Sequence, residues 1–523
     1  MSTVAVLPLR PAHNIDAGRL FFASCAALTG SAMMFAISSD IMNALKEQFV
    51  LSNERVGFVA GGTAGFTIAI FLLGPLCDAL GMKLLLRFAF LCQTGGVLTM
   101  IFARGAAMLY TGLLIHSIGS GTIEAVCNPL IATIFPDRKT QKLNQFHVWF
   151  PGGIVLGGLA AYALTRAPLD FSVLKLHLWQ VKLFVVLLPA LAYGILFTGQ
   201  RFPATERVQA GVSFGQMFRH TLLRPLFLVL LVCMTITASL ELGPQRWIPP
   251  VLEAGRIPGI LVLVWITGLM AVLRFVSGPV IRALTNMGVL LSSAVLSGAG
   301  LLLLSYAANA YVIGIAATIF ALGVCYFWPT MLGTVAERVP KGGALALAVL
   351  GGTGNLFYSV VTVPAMGRIA DHYLHRELTT PDREARTVGV LHQIDSSYRL
   401  WTQSLGRARQ DQVTRADIEE TLQLVDQALQ RQMSTGTLPE LVTADALRSA
   451  LKSGPADEPK VAGPMAEAFV AKQDAKAILD PAENHGGLIS FRFVAPLSLV
   501  LIVIFGAIYV RDHRRPDAVM HAQ

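Results

Sequence analysis

The residues best able to do chemistry in this chain are a few carboxylates and amides set inside long apolar runs. The densest group is Gly119-Ser-Gly121-Thr-Ile-Glu124-Ala-Val-Cys-Asn128-Pro129. On a helix Glu124 and Asn128 share one face a turn apart, and Pro129 removes a backbone N–H at that point. A second group follows in Leu143-Asn144-x-x-His147-x-x-Phe150-x-x-Gly153, again with polar residues at one-face spacing. Two more carboxylates stand near the ends of apolar runs, in Ser38-Ser39-Asp40-Ile41 and in Glu241-x-Gly243-x-x-x-Trp247-Ile248. An ionisable group inside a hydrocarbon-length run is costly, so its default reading is functional: it carries a proton or holds a polar solute. Flat aromatic rings beside such groups suit the C–H face of a sugar ring. Trp149 and Phe150, Trp247, the Tyr326-Phe327-Trp328 run, and Asn355 with Phe357 and Tyr358 are the candidates.

Each of these residues also has a plainer reading. Glu124 could be a hydrogen-bond partner for a neighbouring helix, and Asp40 a solvated helix-end aspartate. Glu241 reads equally as a solute ligand or a gate residue near the outer surface. His116 is more simply a packing histidine. Arg274 is more simply a snorkelling cation on the cytoplasmic side that pairs across the bundle.

The elements that must position these groups are membrane helices. Apolar residues make up 54% of the 523 and charged ones only 14%, against about 45–50% and 25% in soluble domains. The excess falls in runs of about 20 residues, the length that crosses ~30 Å of hydrocarbon. Twelve spans are expected: Arg19–Leu45, Arg55–Ala79, Lys83–Ala103, Ala106–Phe135, Asn144–Leu164, Leu178–Gly199, Thr221–Leu242, Pro258–Leu284, Gly288–Ala307, Ala310–Ala336, Gly342–Tyr373 and Ile489–Val510. Arg138, Lys139 and Lys142, then Arg201, Arg207, Arg219 and Arg224, then Arg511, Arg514 and Arg515 all fall on one side, which should be the cytoplasm. Both termini are then cytoplasmic, and the lipid bilayer is the surrounding partner. The net charge of +9 is spread through short connections, so no nucleic-acid partner is expected. The six cysteines sit in or beside apolar segments with no CxxC spacing and read as packing residues. No N-x-S/T sequon occurs, which fits a bacterial inner membrane.

The chain repeats itself. Gly74-Pro75 near the end of span 2 recurs as Gly278-Pro279 near the end of span 8, 204 residues later (278 minus 74), which is one six-helix half. The expected organisation is therefore a six-helix half over 1–200, a cytoplasmic linker over 201–220, spans 7–11 over 221–373, an insert over 374–488, span 12 over 489–510 and a tail over 511–523. From Asp371 to Ser490 there are 13 Lys/Arg against 18 Asp/Glu, an acidic stretch that should face outward. Ile418, Leu422, Val425 and Leu429 make a helical stripe with Thr414 or Asp417 as N-cap. Ala444, Leu447 and Leu451 suggest a second helix, and Phe469 and Ile478 a third. The insert reads as a cap or spacer, with a lid or a docking place for an unknown partner as the sharper alternative.

Between spans 2 and 3 runs Gly74-x-Leu76-x-Asp78-x-Leu80-Gly81-x-Lys83. Small residues let helices approach there, and Asp78 can meet a cation or helix end across the half-interface. The loop resembles the signature loop of the major facilitator superfamily, with Ala79 and Met82 where the family usually has basic residues. The Glu-x-x-x-Asn-Pro of span 4 and the Leu-Asn-x-x-His-x-x-Phe of span 5 resemble the fucose:proton symporter (sugar porter) branch, with Ser39 where that branch usually has Asn. The resemblance covers the twelve spans and not the insert. It implies an all-α polytopic membrane protein of twelve helices in two pseudo-symmetric halves, the major facilitator fold, here with a helical extramembrane insert between helices 11 and 12. It further implies Asp40 and Glu124 as the proton-coupling residues, and Gly74, Asp78, Gly81 and Lys83 as the gating loop.

The expected function is proton-coupled uptake of a sugar-like solute by alternating access, with Asn128, Asn144, His147, Phe150, Glu241, Trp247, Trp328 and Asn355 as solute contacts. Proton-driven efflux of drugs or metabolites, or a non-transporting sensor on the same fold, remain open. No Ser/His/Asp grouping, phosphate-cradling loop or metal-ligand spacing stands out, so no enzyme, metal or cofactor is expected.

Overall fold

The computed structural model describes residues 15–135, 139–167, 176–203, 224–339, 343–407, 409–455, 458–459 and 462–514. Among the described residues, eleven helical segments are long and apolar enough to cross a membrane, and the shorter apolar helix Gly259–Phe275 makes span 8. This accounts for twelve spans. In hydrocarbon each backbone polar group needs an internal partner, and a helix supplies one for all but its ends. Side chains complete several of those ends. Asp16 accepts from the Arg19 N–H at the start of span 1 (2.9 Å), Ser52 from Arg55 at the start of span 2 (3.2 Å), and Asn309 from Val312 at the start of span 10 (3.0 Å).

Several spans are broken where the sequence alone reads as continuous. Span 1 is Ala17–Asp40, a one-residue joint at Ile41, then Met42–Phe49. Span 2 is Asn53–Ala60 and Gly65–Leu80 with a tighter turn, Gly61–Ala64, between them. Span 10 is Ala310–Val324 and Phe327–Arg338, while span 11 carries a wider π turn at Tyr358–Thr362. Span 7 departs most from expectation. It is one helix, Pro225–Ala254, of 30 residues with Pro244, Pro249 and Pro250 inside it, so it does not stop at Leu242. The expected start of that span, Thr221, lies outside the described residues.

The Gly-Pro repeat is built differently in the two halves. Helix Gly65–Leu80 runs straight through Gly74-Pro75 and ends at Gly81, whose φ of 81° favours glycine. In span 8 the helix stops at Phe275, a new one starts at Ser277, and Thr285 (φ 63°) interrupts it before span 9.

Between spans 11 and 12 the chain is helical. Span 11 ends in Val363–Leu378; then come Pro381–Ser404, Arg409–Thr435, Glu440–Ser453 and Pro464–Val494. The stripe of Ile418, Leu422, Val425 and Leu429 is buried, facing Ile394, Tyr398, Leu447 and Ala475 in one core. Truncating one such side chain to Ala in this water-facing core costs about 2–5 kcal/mol. Thr414 and Asp417 lie inside their helix, which starts earlier, at Arg409, so neither is its N-cap. Pro381–Ser404 was not anticipated, although its Val390, Leu391, Ile394, Tyr398 and Trp401 stripe is all buried. The helix holding Phe469 and Ile478 continues into the membrane part as far as Val494. The insert is therefore joined by unbroken helix to the second half.

At the insert end of the bundle, buried charges tie the two halves together. The Asp371 carboxylate, on the span 11 helix, accepts from the Asn53 and Glu54 N–H groups of span 2 (2.9 and 2.7 Å) and from Asn53 Nδ2 (3.0 Å). Lys46, on the second segment of span 1, pairs with Glu483 of the helix leading into span 12. Arg448 of the insert donates to Glu483 (2.9 Å) and Asp371 (3.4 Å), holding both carboxylates from behind. Gly367 makes the close approach possible, since a Cβ there would lie 2.3 Å from the Asn53 carbonyl oxygen. Among the described residues, polar contacts between the halves continue about midway along span 2, to Thr67 Oγ1 donating to the Gly352 carbonyl (2.8 Å), and stop there. At the opposite, tail end the pairs stay within a half: Arg338 with Asp512, and Arg19 with the Leu196 carbonyl (2.8 Å).

Removing one member of a buried charge network leaves the others uncompensated, at about 3–5 kcal/mol. Arg448→Met is expected to lower the thermal unfolding midpoint of the purified protein. Arg448→Met with Glu483→Gln should be less destabilised than the two single losses added together. Differential scanning fluorimetry in detergent checks both; strict additivity would contradict the coupling.

Candidate functional site

From mid-membrane toward the tail end, the halves enclose a cavity of about 1100 Å³. Its walls run from Phe21, Asn286 and Glu337 near the tail end up to Arg246, Asn355 and Tyr358.

On the first half the cavity wall carries a three-residue polar group. Asn128 Nδ2 donates to the Glu124 carboxylate (2.8 Å) and to the Glu124 carbonyl one turn back (3.0 Å). His147 Nε2 meets Asn128 Oδ1 at 3.0 Å, a contact in which the ring must donate, and His147 Nδ1 lies 4.0 Å from Glu124. A joint in span 5, between Lys139–His147 and Trp149–Arg166, places His147 and Phe150 on the cavity wall. Behind this group, Gln93 of span 3 donates to Ser31 (2.9 Å) and Ser120 (3.2 Å), tying span 1 to span 4. His116 is buried on the same wall with Nε2 unpartnered.

On the second half the central feature is an ion pair. Arg274 reaches Glu241 at 3.2 Å and also donates to the Cys325 carbonyl (2.7 Å) at the break in span 10. Glu241 is 4% exposed and lies mid-helix, so the expectation that it sits near the outer surface is overturned by the length of span 7. Arg274 is correspondingly a cavity residue paired inside its own half, rather than a cation snorkelling to the cytoplasmic side.

Two contacts roof the cavity. Asn355 Nδ2 donates to the Thr63 carbonyl (3.2 Å), freed by the tight turn in span 2, and to Thr67 Oγ1 (3.3 Å). Arg246 crosses from span 7 to span 1. It donates to the Phe35 carbonyl (3.1 Å), to Ser39 Oγ (3.2 Å) and to Ser38 Oγ, with its guanidinium 4.4 Å from the Phe35 ring centroid.

The structure thus brings Glu124, His147, Phe150, Glu241, Trp328 and Asn355 onto one cavity, with Asn128 bonded behind Glu124. It separates two expected residues from it. Asp40 is paired with Lys182 of span 6 (2.5 Å), away from the lining. Trp247 is fully buried between spans 7 and 11, where its Nε1–H meets the Val363 carbonyl (3.2 Å). The side chains of Asn144 and Asp78 lie outside the described residues. Of the expected gating loop, Gly74 has open space around it, Gly81 forms the turn, and Lys83 is exposed. The residues that sequence reasoning missed are Arg246, Gln93, Lys182, Lys46 and Arg448. Arg246 carried a signal, a lone arginine five residues after Glu241.

This architecture matches a known family. The family model described as Major Facilitator Superfamily matches residues 20–373, which is more than half of the chain. The chain belongs to the Major Facilitator Superfamily. A search of curated proteins gave no match. Among solved structures, the chain is similar to a bacterial homologue of the human lysosomal transporter Spinster in an inward-facing, unoccupied conformation. The TM-score is 0.62 at 12% identity, covering 94% of this chain and 97% of that one. It is also similar to the xylose transporter XylE from E. coli (0.54, 14%, covering 69% and 97%) and to the nucleoside transporter NupG (0.55, 12%, covering 68% and 92%). At these identities the likeness is one of fold. The major facilitator fold makes this chain a multi-pass membrane transporter with a helical insert between its last two spans.

Because Asp40 is held by Lys182 away from the cavity, Asp40→Asn should act on stability and not on solute recognition. The unfolding midpoint is expected to fall, while the Kd of any bound solute changes by less than about threefold (under 1 kcal/mol). A larger loss of affinity in the folded variant would place Asp40 in the solute site after all.

Proposed function

We propose that this major facilitator takes up a monosaccharide or sugar-like solute together with a proton, by alternating access. The observation that carries the reading is Glu124: a carboxylate mid-way along span 4, on the cavity wall, held by Asn128 and reached by His147. An acid in that position is wetted when the cavity is open and enclosed when it closes. Phe150, Trp149 and Trp328 supply flat apolar faces on the same cavity, and Asn355 and Glu241 add hydrogen-bonding groups for hydroxyls.

The charge bias of membrane loops supports a cytoplasmic tail end, since the basic residues of the tail and of the loops after spans 4 and 6 fall on one side. The insert is then outside a bacterial inner membrane, both termini are inside, and the described state is open inward and sealed outward. Transport requires the other state. In it the tail-end mouth closes while the contacts of Asp371 with Asn53 and Glu54, and of Lys46 with Glu483, come apart. Proton and solute that both favour the occluded form cross together.

In liposomes with an acid exterior, Glu124→Gln is expected to abolish accumulation of labelled solute above equilibrium while counterflow persists within about threefold. Unchanged pH-driven accumulation would overturn the assignment. Faster loss of solute from preloaded vesicles under that same acid exterior, with protons entering as solute leaves, would instead support the efflux direction.

A further inference from the structure

We infer that the solute carries an anionic group, a carboxylate on a sugar-like body, and that Arg246 neutralises it. This deepens the uptake reading of the same cavity and rests on it for the sugar-like body, but not for the charge.

Four Lys and Arg side chains of the described residues are buried: Lys46, Lys182, Arg246 and Arg448. Three of them have carboxylate partners. Lys46 has Glu483, Lys182 has Asp40, and Arg448 has Glu483, Asp371 and Asp445. Arg246 has none among the described residues. Its Nη1 goes to a carbonyl and two serine hydroxyls, the Tyr358 hydroxyl is a further neutral partner, and its Nε is buried without a partner. Neutral acceptors satisfy hydrogen bonds but leave a full positive charge unbalanced, and that imbalance is most unfavourable where water is excluded.

Neither of two carboxylates on the same cavity supplies the missing charge. Glu241, on the same helix, is already paired with Arg274. Glu124 lies more than 4.0 Å away and accepts from Asn128. Arg246 lines the cavity at its closed end, beside the Phe35 ring and the Asn355 and Tyr358 group. A guanidinium there offers planar, paired donors that match a carboxylate. A neutral sugar would leave the charge as it stands; a uronate-like solute would cancel it.

The test uses the purified full-length protein and its thermal unfolding midpoint. The probes are D-glucuronate and D-galacturonate, the neutral sugars D-glucose and D-galactose, and the non-sugar carboxylates lactate and succinate, all at matched ionic strength. A carboxylate should raise the midpoint in proportion to its occupancy, with apparent affinity at least about tenfold above that of its neutral counterpart. Arg246→Gln should remove that preference, and Arg246→Lys, which keeps the charge without the planar fork, should retain part of it. If Arg246→Gln does not fold, the wild-type ratio of acid to neutral sugar decides, together with Arg246→Lys. A shift with lactate or succinate alone, lost in Arg246→Gln, would uphold the anionic site and overturn the sugar reading. A shift with neutral sugars that is equal in wild type and Arg246→Gln would uphold the sugar reading and overturn this inference. No shift with any carboxylate up to about 10 mM would overturn it as well.

Discussion

A charged side chain taken into hydrocarbon or a sealed interface is held there only by a partner, and in this transporter the location of each partner decides which parts move together. Arg338 with Asp512 and Arg274 with Glu241 lie inside the second half and stiffen it as a body. Lys182 with Asp40 does the same for the first half. The contacts that cross between halves are of another kind. Lys46 with Glu483, and Asp371 with the first turn of span 2, gather at the insert end, and Arg448 stands behind both carboxylates. The insert is thereby part of the seal. Its helices continue directly into spans 11 and 12, so a movement of the second half must carry it along.

The broken helices serve the cavity. Each break frees backbone carbonyls or turns a side chain inward, and several face the site: the tight turn at Gly61–Ala64, the joint before Trp149, and the break at Cys325 and Tyr326. The carbonyls of Thr63 and Cys325 are then taken up by Asn355 and Arg274. Irregular backbone at membrane depth is tolerated where it is buried in protein or lines a cavity, which is how these breaks are used.

Much of this was legible in the residues. The twelve spans follow from hydropathy and length, and the Glu124–Asn128 pair follows from helical spacing, because a four-residue step brings polar side chains together on any helix; His147 joins them from span 5 by tertiary packing. What was hidden depends on where helices continue or stop. Span 7 reads as ending at Leu242, yet the helix continues through Pro244, Pro249 and Pro250 to Ala254, which puts Glu241 inside the bundle and not near its outer surface. Asp40 looked like the partner of Glu124 by resemblance, but its environment is set by Lys182, 142 residues away, a tertiary pairing that no local pattern reveals. The Pro381–Ser404 helix was overlooked although its apolar stripe was present, because charged residues dilute it and turn-forming residues flank it.

Alternating access requires the insert-end contacts to act as a gate that opens during transport. It is tested most directly by the distance between spin labels at positions 47 and 476, whose native side chains, Glu47 and Lys476, approach to 4.0 Å across the halves. In a reconstituted, transport-competent protein without solute, one short distance should dominate. Adding a solute that is transported, with acid on the insert side, should populate a second distance longer by about 10 Å, the scale of a rocking half. A single short distance that persists while the same vesicles accumulate solute would contradict the account.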